Sequence, residues 1–500
     1  MSTKLPELFF GLVGPIGTDL ALLTTSLEES LKSLGYESKI IRLIELVPAD
    51  EPTVRLPADE RYRKLMKRGT DFCSSVRAAD ALALLSVNAI FEFRQQVWGE
   101  TKKPDQEGIL PPLPARSYIF RSIKRREEVE TFRQIYGRSF FLLGAYAPHE
   151  SRAKRLARLI ADSRREKQPE KHHATALELI ATDRKEEGVS YGQRVRDAFH
   201  LADVFFDLSV RKERLDAQVK RFIHLLFGAP YLTPTREEFC MFQAYGAALR
   251  SSALGRQVGA AVATLDGNVV ALGMNEVPKK GGGAYWADES TDRRDFVTGE
   301  DSNDILKRRI LDDIIARLVS SPKVKSQSGL LEFLENLQMS EPLRKEVFEG
   351  AHFADLIEFG RAVHAEMFAI VDASRRGIST QDHVMYVTTF PCHECTRHII
   401  AAGIAEVVFI EPYPKSLAET LHDDAIQVDS ECKDGSRINF RPFVGIAPRI
   451  YMDLFRMGKR RKDESGRILK WYLGAPYPRI VESAKAYLYN EIGYTSSING

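Results

Sequence analysis

Cysteine is scarce in this chain: 500 residues hold five, Cys73, Cys240, Cys392, Cys395 and Cys432. So few cannot build a disulfide framework, and they suit a reducing compartment. Charge of one sign is missing too. Lys plus Arg number 71 against 69 Asp plus Glu, leaving +2. No overall basic field therefore argues for nucleic acid or a membrane surface. No apolar run reaches the length of a membrane span. The stretch MSTKLPELFFGLVG is too short and too broken for a signal peptide. The expectation is a cytoplasmic protein with no membrane partner. What is present, 44% hydrophobic and 28% charged residues, is ordinary for globular chains. The length is enough for two or three domains.

Residues 1–230 read as α/β. Leu8–Val13 has the apolar run of a buried strand. A turn, Gly14-Pro15-Ile16-Gly17, follows it, and then a helix over Asp19–Leu34. Further buried runs at Ser117–Phe120, Ser139–Gly144 and Asp203–Asp207 alternate with charged helical segments. That order predicts a parallel sheet. Strand, Gly-rich turn and helix is also the order of a P-loop. The P-loop pattern G-x-x-x-x-G-K-[ST] fails here, however. Leu12 stands five residues before Gly17, and Thr18 follows where the phosphate-clamping lysine belongs. Gly14, Gly17 and Thr18 are kept as candidate nucleotide contacts through backbone amides alone. The competing reading is a tight strand–helix turn.

Pro230–Pro234 marks a junction, and residues 235–500 read as a second domain. Thr235 with Glu238 forms a capping box. Val258–Thr264 and Asn268–Gly273 flank Asp266-Gly267, a hairpin signal. An insertion at about 281–352 is charged and helical, with Leu306, Ile310, Ile314 and Leu318 at helical spacing. Two short motifs follow: His364-Ala365-Glu366 and, beyond the strand His383–Thr389, Pro391-Cys392-His393-Glu394-Cys395. A last strand spans Glu406–Glu411. The order of elements predicts a three-layer α/β/α sandwich with a metal between two helices.

H-A-E followed by P-C-x-x-C is the pattern of zinc deaminases that act on nucleobases. Hydrolytic deamination needs a strong nucleophile at neutral pH, which zinc with three protein ligands and an open fourth position supplies. His364 offers an imidazole. Cys392 and Cys395, three apart, share one helix face. Pro391 suits the first turn of that helix, whose N-terminus favours thiolate. Glu366 is placed to move protons. A structural zinc site would show four protein ligands, and only three stand out.

From Arg250, RSSALGRQVGAAVATLDGNVVALGMNEVP resembles deoxycytidylate deaminases. VHAEMFAIVDASRRG and MYVTTFPCHECTRHIIAAGIAEVVFIEPYP continue the likeness over roughly 235–430. With a degenerate P-loop nucleotide-kinase-like domain ahead and INFRPFVGIAPRIYMDLF behind, the whole resembles bacterial anti-phage dCTP deaminases. The resemblance implies Zn2+ on His364, Cys392 and Cys395, with Glu366 as proton shuttle. It implies a small-molecule deoxycytidine nucleotide as substrate, dCTP or dCMP, and depletion of dCTP during infection. It sets Asn275 on the sugar hydroxyl and the Ala365 amide on the base carbonyl. Arg256, Lys279, Tyr413 and Lys415 become candidates for sugar or phosphate contacts. A regulatory nucleotide or inhibitor at the N-terminal domain and a homo-oligomer complete the expectation. A second zinc would need Cys or His in the insertion. Residues 288–351 have neither and His352 stands alone, so none is expected.

Two other functions use the same residues. An RNA- or DNA-editing deaminase would need a basic, aromatic-lined channel, which the near-neutral charge does not suggest. A nucleotide-binding regulatory protein would not need both motifs intact. The aromatic C-terminus (Trp471, Tyr472, Tyr477, Tyr487, Tyr489) is expected to serve packing or an oligomer contact.

Overall fold

A computed structural model describes residues 5–48, 53, 55–102, 109–184, 186, 191–348, 351, 353, 356–413, 415–429, 435–458, 460–471 and 477–496. His352, Cys432 and Tyr472 lie outside the described residues. The chain forms two compact units. The first comprises Met1–Phe242, Gln427–Gly435 and Asn439–Gly500; the second, Gln243–Ile426 with Ser436–Ile438. The second unit begins at Gln243, inside the helix Arg236–Ala248, and not at 230–235. The chain after 439 returns to the first.

In the first unit, β1 (Leu8–Val13), β2 (Glu37–Arg42), β3 (Arg116–Ile123), β4 (Phe140–Tyr146) and β5 (Val204–Asp207) form a parallel sheet in the order β5-β4-β1-β3-β2. β1 is buried at every residue, as its unbroken apolar run requires. β2, sequence ESKIIR, is a mostly exposed edge with no apolar run, which is why it escapes a reading of pattern. The returning chain adds a short antiparallel strand, Gly445–Ile446, beside β5. Its Ile446, Ile450 and Leu454 join the core beneath the helices Leu20–Lys32 and Lys212–Leu226.

Asp19 caps the helix Leu20–Lys32 by accepting from Leu22 N. The turn before it needs Gly17 twice over. Its φ is +87°, and a Cβ there would lie 2.7 Å from the Arg152 carbonyl oxygen.

In the second unit, β6 (Gly259–Ala263), β7 (Val269–Met274), β8 (Val384–Thr389) and β9 (Glu406–Glu411) run in the order β9-β8-β6-β7. β6 pairs antiparallel with β7 and with β8, and β8 parallel with β9. The register sets Gly259 opposite Met274 and Ala260 opposite Gly273. Gly259 and Gly273 thus face opposite sides of the sheet. A Cβ on Gly259 would strike Ala244, at the end of the helix Arg236–Ala248. One on Gly273 would strike Ala365. Helices therefore lie against both faces, the expected three layers.

The capping box holds: Thr235 N donates to Glu238 Oε2 at 2.7 Å, and Glu238 N to Thr235 Oγ1 at 3.2 Å. The insertion is helical, with Ser302–Ser320 and Ser328–Met339 its longest elements. Its small core forms around Ile315, Val324, Leu334 and Leu337, with Leu311 and Val319 packed against it. Ile314 and Leu318 are exposed instead. The stripe that this helix buries, Leu311, Ile315 and Val319, runs one residue on from Ile310, Ile314 and Leu318.

Candidate active site

His364 is the N-cap of the helix Ala365–Arg375, and Cys392 the N-cap of the helix His393–Ala401. Pro391 thus precedes the cap and lies outside the first turn. Gly273 lets the first helix lie directly on β7, which fixes where His364 and Glu366 stand. β8 ends at Thr389 and delivers Cys392 three residues later.

The three candidate ligand atoms lie within 4.8 Å of one another. His364 Nδ1 is 3.3 Å from Cys392 Sγ and 3.5 Å from Cys395 Sγ. Tetrahedral zinc, with bonds of about 2.3 Å to sulfur and 2.0–2.1 Å to nitrogen, sets such N···S edges at about 3.5 Å. The donor set fits zinc, which His364 would hold through Nδ1, the ring atom that faces both sulfurs. Among the described residues no other group of His, Cys, Asp or Glu meets the same criterion.

The protein's own groups already favour a thiolate here. The Cys395 thiol and His364 hydrogen-bond to Cys392 and draw its pKa down to about 4. Cys395 is pushed up by that same hydrogen bond to Cys392 and by burial. The hydrogen bond to Cys392 lifts His364 to about 9. Cys395 N also donates to Cys392 Sγ at 3.4 Å. Glu366 is 4% exposed. Burial first, then the neighbouring Cys392, raises its carboxyl to about 7. A carboxyl near neutrality can both accept and return a proton.

His364, Cys392 and Glu366 line a cavity of about 300 Å³ together with Ala365, Asn275, Arg256 and Tyr413. Asn275 is fixed by the loop it faces. Its Oδ1 accepts from Val258 N at 2.7 Å, and its Nδ2 donates to Arg256 O at 2.5 Å. One amide hydrogen and one lone pair remain for a ligand. Arg256 pairs with Glu411 at 3.0 Å and lies over the Tyr413 ring, 5.5 Å from its centre.

Lys279 and Lys415 do not line this cavity. Lys279 is ion-paired with Glu289, and Lys415 is exposed. Gly14, Gly17 and Thr18 belong to the first unit and line a cavity there. Three contributors were not read from sequence: Glu411, which holds Arg256, and Phe390 and Ile357 in the lining. Phe390 could have been found from its place directly before P-C-x-x-C. Ile357, at the end of the insertion, carries no local signal.

Fold and site together define a zinc-binding α/β/α domain of the deaminase kind. Residues 234–411 match the family model for the cytidine and deoxycytidylate deaminase zinc-binding region. ComE operon protein 2 of Bacillus subtilis (strain 168) is 45% identical over 70 residues, covering 13% of this chain and 37% of that protein. Deoxycytidylate deaminase of Enterobacteria phage T2 is 43% identical over 54 residues, 11% of this chain and 29% of that one. Deoxycytidylate deaminase of Pongo abelii is 32% identical over 98 residues, 19% and 50%. The chain spans half or less of the length of these relatives. The C-terminal part thus carries a deoxycytidylate deaminase-like domain whose cofactor is zinc. No helix among the described residues is long and apolar enough to cross a membrane.

Proposed function

We propose that the second unit hydrolyses the exocyclic amine of a deoxycytidine nucleotide, giving the uracil nucleotide and ammonia. One observation carries the reading: Glu366, buried and raised toward neutral pKa, lines the same cavity as His364 and Cys392 of the His–Cys–Cys cluster. Bound zinc would act there as a Lewis acid that makes water nucleophilic at neutral pH. His364, Cys392 and Cys395 hold it. Glu366 accepts one proton from water and passes it to the ring nitrogen, then takes the proton of the hydroxyl added at the ring carbon and delivers it to the amino group, which leaves as ammonia. The Ala365 amide, at the first turn of its helix, meets the base carbonyl. The spare hydrogen-bonding capacity of Asn275 takes the sugar hydroxyl. Phe390 and Ile357 pack around the base and exclude water. Arg256 meets a phosphate by exchanging its bond to Glu411.

The substrate is read as dCTP ahead of dCMP, with loss of dCTP serving anti-phage defence. This finer reading is supported by the resemblance of the whole arrangement. Arg256 is the one cation in the cavity lining among the described residues, so Lys279 and Lys415 lend it no support. The test compares turnover of dCTP, dCMP, deoxycytidine and a cytosine-bearing oligonucleotide, following ammonia and uracil product. Phosphorylated free nucleotides are expected to react fastest, because phosphate binding energy is used at the reacting carbon. Equal rates on the nucleoside or the oligonucleotide would overturn the free-nucleotide reading. A faster dCMP reaction would overturn the preference for dCTP.

A further inference from the structure

The first unit leaves three buried polar atoms without partners around one cavity. Thr18 Oγ1, Arg125 Nη2 and Gln193 Oε1 make no hydrogen bond, and all three residues line a space of about 200 Å³. Arg125 is 3% exposed and Gln193 5%. Arg125 is otherwise committed: its Nε donates to Tyr191 O at 3.0 Å and its Nη1 to Glu128 Oε1 at 3.2 Å. A buried polar atom left unpaired is destabilising, and three around one cavity point to a missing ligand.

Arg121 lines the same space and has no ion-pair partner among the described residues. Burial and the nearby Arg42 hold its pKa below the ordinary value, against the opposing pull of Asp19 and Glu45. Leu43, Tyr62, Met66 and Leu82 line it too and give it an apolar wall. The cavity lies beyond the carboxyl ends of β1 and β3, the place where parallel α/β sheets take ligands.

The Gly-rich turn itself already holds an anion. Asp183 is fully buried. It accepts from Ile16 N at 2.6 Å and from Lys124 Nζ at 2.7 Å. A carboxylate of the chain thus uses the amide and the lysine that a polyphosphate would need. Asp19 caps the following helix by accepting from Leu22 N. The cations that line the cavity for a further anion are Arg121 and Arg125, the second already paired through Nη1 with Glu128.

We infer that this cavity binds a nucleoside monophosphate, with its base on the apolar wall and its single phosphate between Arg121, Arg125 and the Thr18 hydroxyl. Gln193 Oε1 accepts from an amino or imino group of the base. The site is independent of the deaminase reading, because every residue in it belongs to the first unit.

Isothermal titration calorimetry on the full-length, zinc-loaded protein tests this. The probes are the monophosphates of the four common bases, their nucleosides and triphosphates, and inorganic phosphate. At least one monophosphate is expected to bind one per chain, on the order of tenfold or more tighter than its nucleoside, its triphosphate and phosphate alone. Arg121→Ala, at a half-buried position, and Gln193→Leu are each expected to weaken it by on the order of tenfold. Circular dichroism checks that the fold is kept. His364→Ala is expected to leave binding unchanged, which separates this site from the zinc cavity. Failure of every monophosphate to bind would overturn the inference. So would tighter binding of a triphosphate, or binding lost in His364→Ala but kept in Arg121→Ala and Gln193→Leu.

Discussion

Glu366 has an environment that does two things. Burial makes its charge costly, and Cys392 beside it adds a like charge. Both effects move the carboxyl toward the pH at which a proton shuttle works best. Glu366→Gln keeps the shape and removes the titration. It is expected to lower turnover by about 100- to 10,000-fold while zinc content by elemental analysis stays at one per chain. Near-wild-type turnover would assign the proton transfers to another group. Arg256 offers a milder test. Glu411 competes for its guanidinium at 3.0 Å. Both side chains are a third or more exposed, so the pair is worth at most about 1 kcal/mol. Glu411→Gln should lower the KM for a phosphorylated substrate by a few-fold at most, on the order of that energy, and leave the nucleoside unaffected. An equal change for both would show that Glu411 shapes the loop and does not compete with phosphate.

At the scale of elements, the metal site depends on two helix starts aimed at one point, and a strand glycine sets one of them. Any side chain at Gly273 would overlap the Ala365 carbonyl and come within 2.5 Å of Ala369 N. Gly273→Ala should push the helix Ala365–Arg375 off β7 and separate His364 from the two sulfurs. The expected result is a protein with reduced zinc affinity, read by competition with a chromophoric chelator, and a lower Tm. Full zinc affinity would mean that the helix yields without moving His364. This dependence explains what was legible in the sequence. Each motif is short, and although His364 stands 28 positions before Cys392, the H-A-E and P-C-x-x-C pair with a strand between them is itself a recognisable pattern. β1 and β9 were legible to the residue, because buried parallel strands are unbroken apolar runs. The phase of the insertion helix was not. Its core is supplied by Val324, Leu334 and Leu337 from later helices, and two adjacent stripes of the helix are both apolar. Lys279 failed for a related reason, since proximity in sequence to the hairpin said nothing of Glu289.

At the scale of the molecule, the chain after 439 closes the first unit, and a buried charge cluster fastens it. Arg94 is 1% exposed and bonds Glu7 Oε2 at 2.7 Å and Glu491 Oε2 at 2.5 Å. Tyr118 and Tyr487 both donate to Glu7 at 2.9 Å. Tyr487 therefore serves packing within the unit. No pattern in the sequence announces this cluster, because its members are separated by 87 and 397 positions. Deleting residues 484–500 should leave Arg94 with half of its counter-charge. Breaking a buried pair costs about 3–5 kcal/mol, so urea unfolding should begin at clearly lower concentration. An unchanged midpoint would show that the helix Ala484–Ser496 is dispensable. The cluster also makes stability depend on pH. One guanidinium faces two carboxyls, and burial raises the Glu491 pKa above its ordinary 4.5 against the pull of Arg94. Above pH 4.5 the unfolded chain has released that proton while the folded chain still holds it. Folding stability from this group is therefore complete below pH 4.5 and declines as pH rises through the raised folded value. Glu491→Gln abolishes the titration at once, although it also gives up one of the two bonds that Arg94 makes there. The difference in unfolding free energy, variant minus wild type, should be flat below pH 4.5 and shift toward the variant as pH rises. A difference that moves the other way would mean that Glu491 is held ionised by Arg94, and that the attraction exceeds the cost of burial.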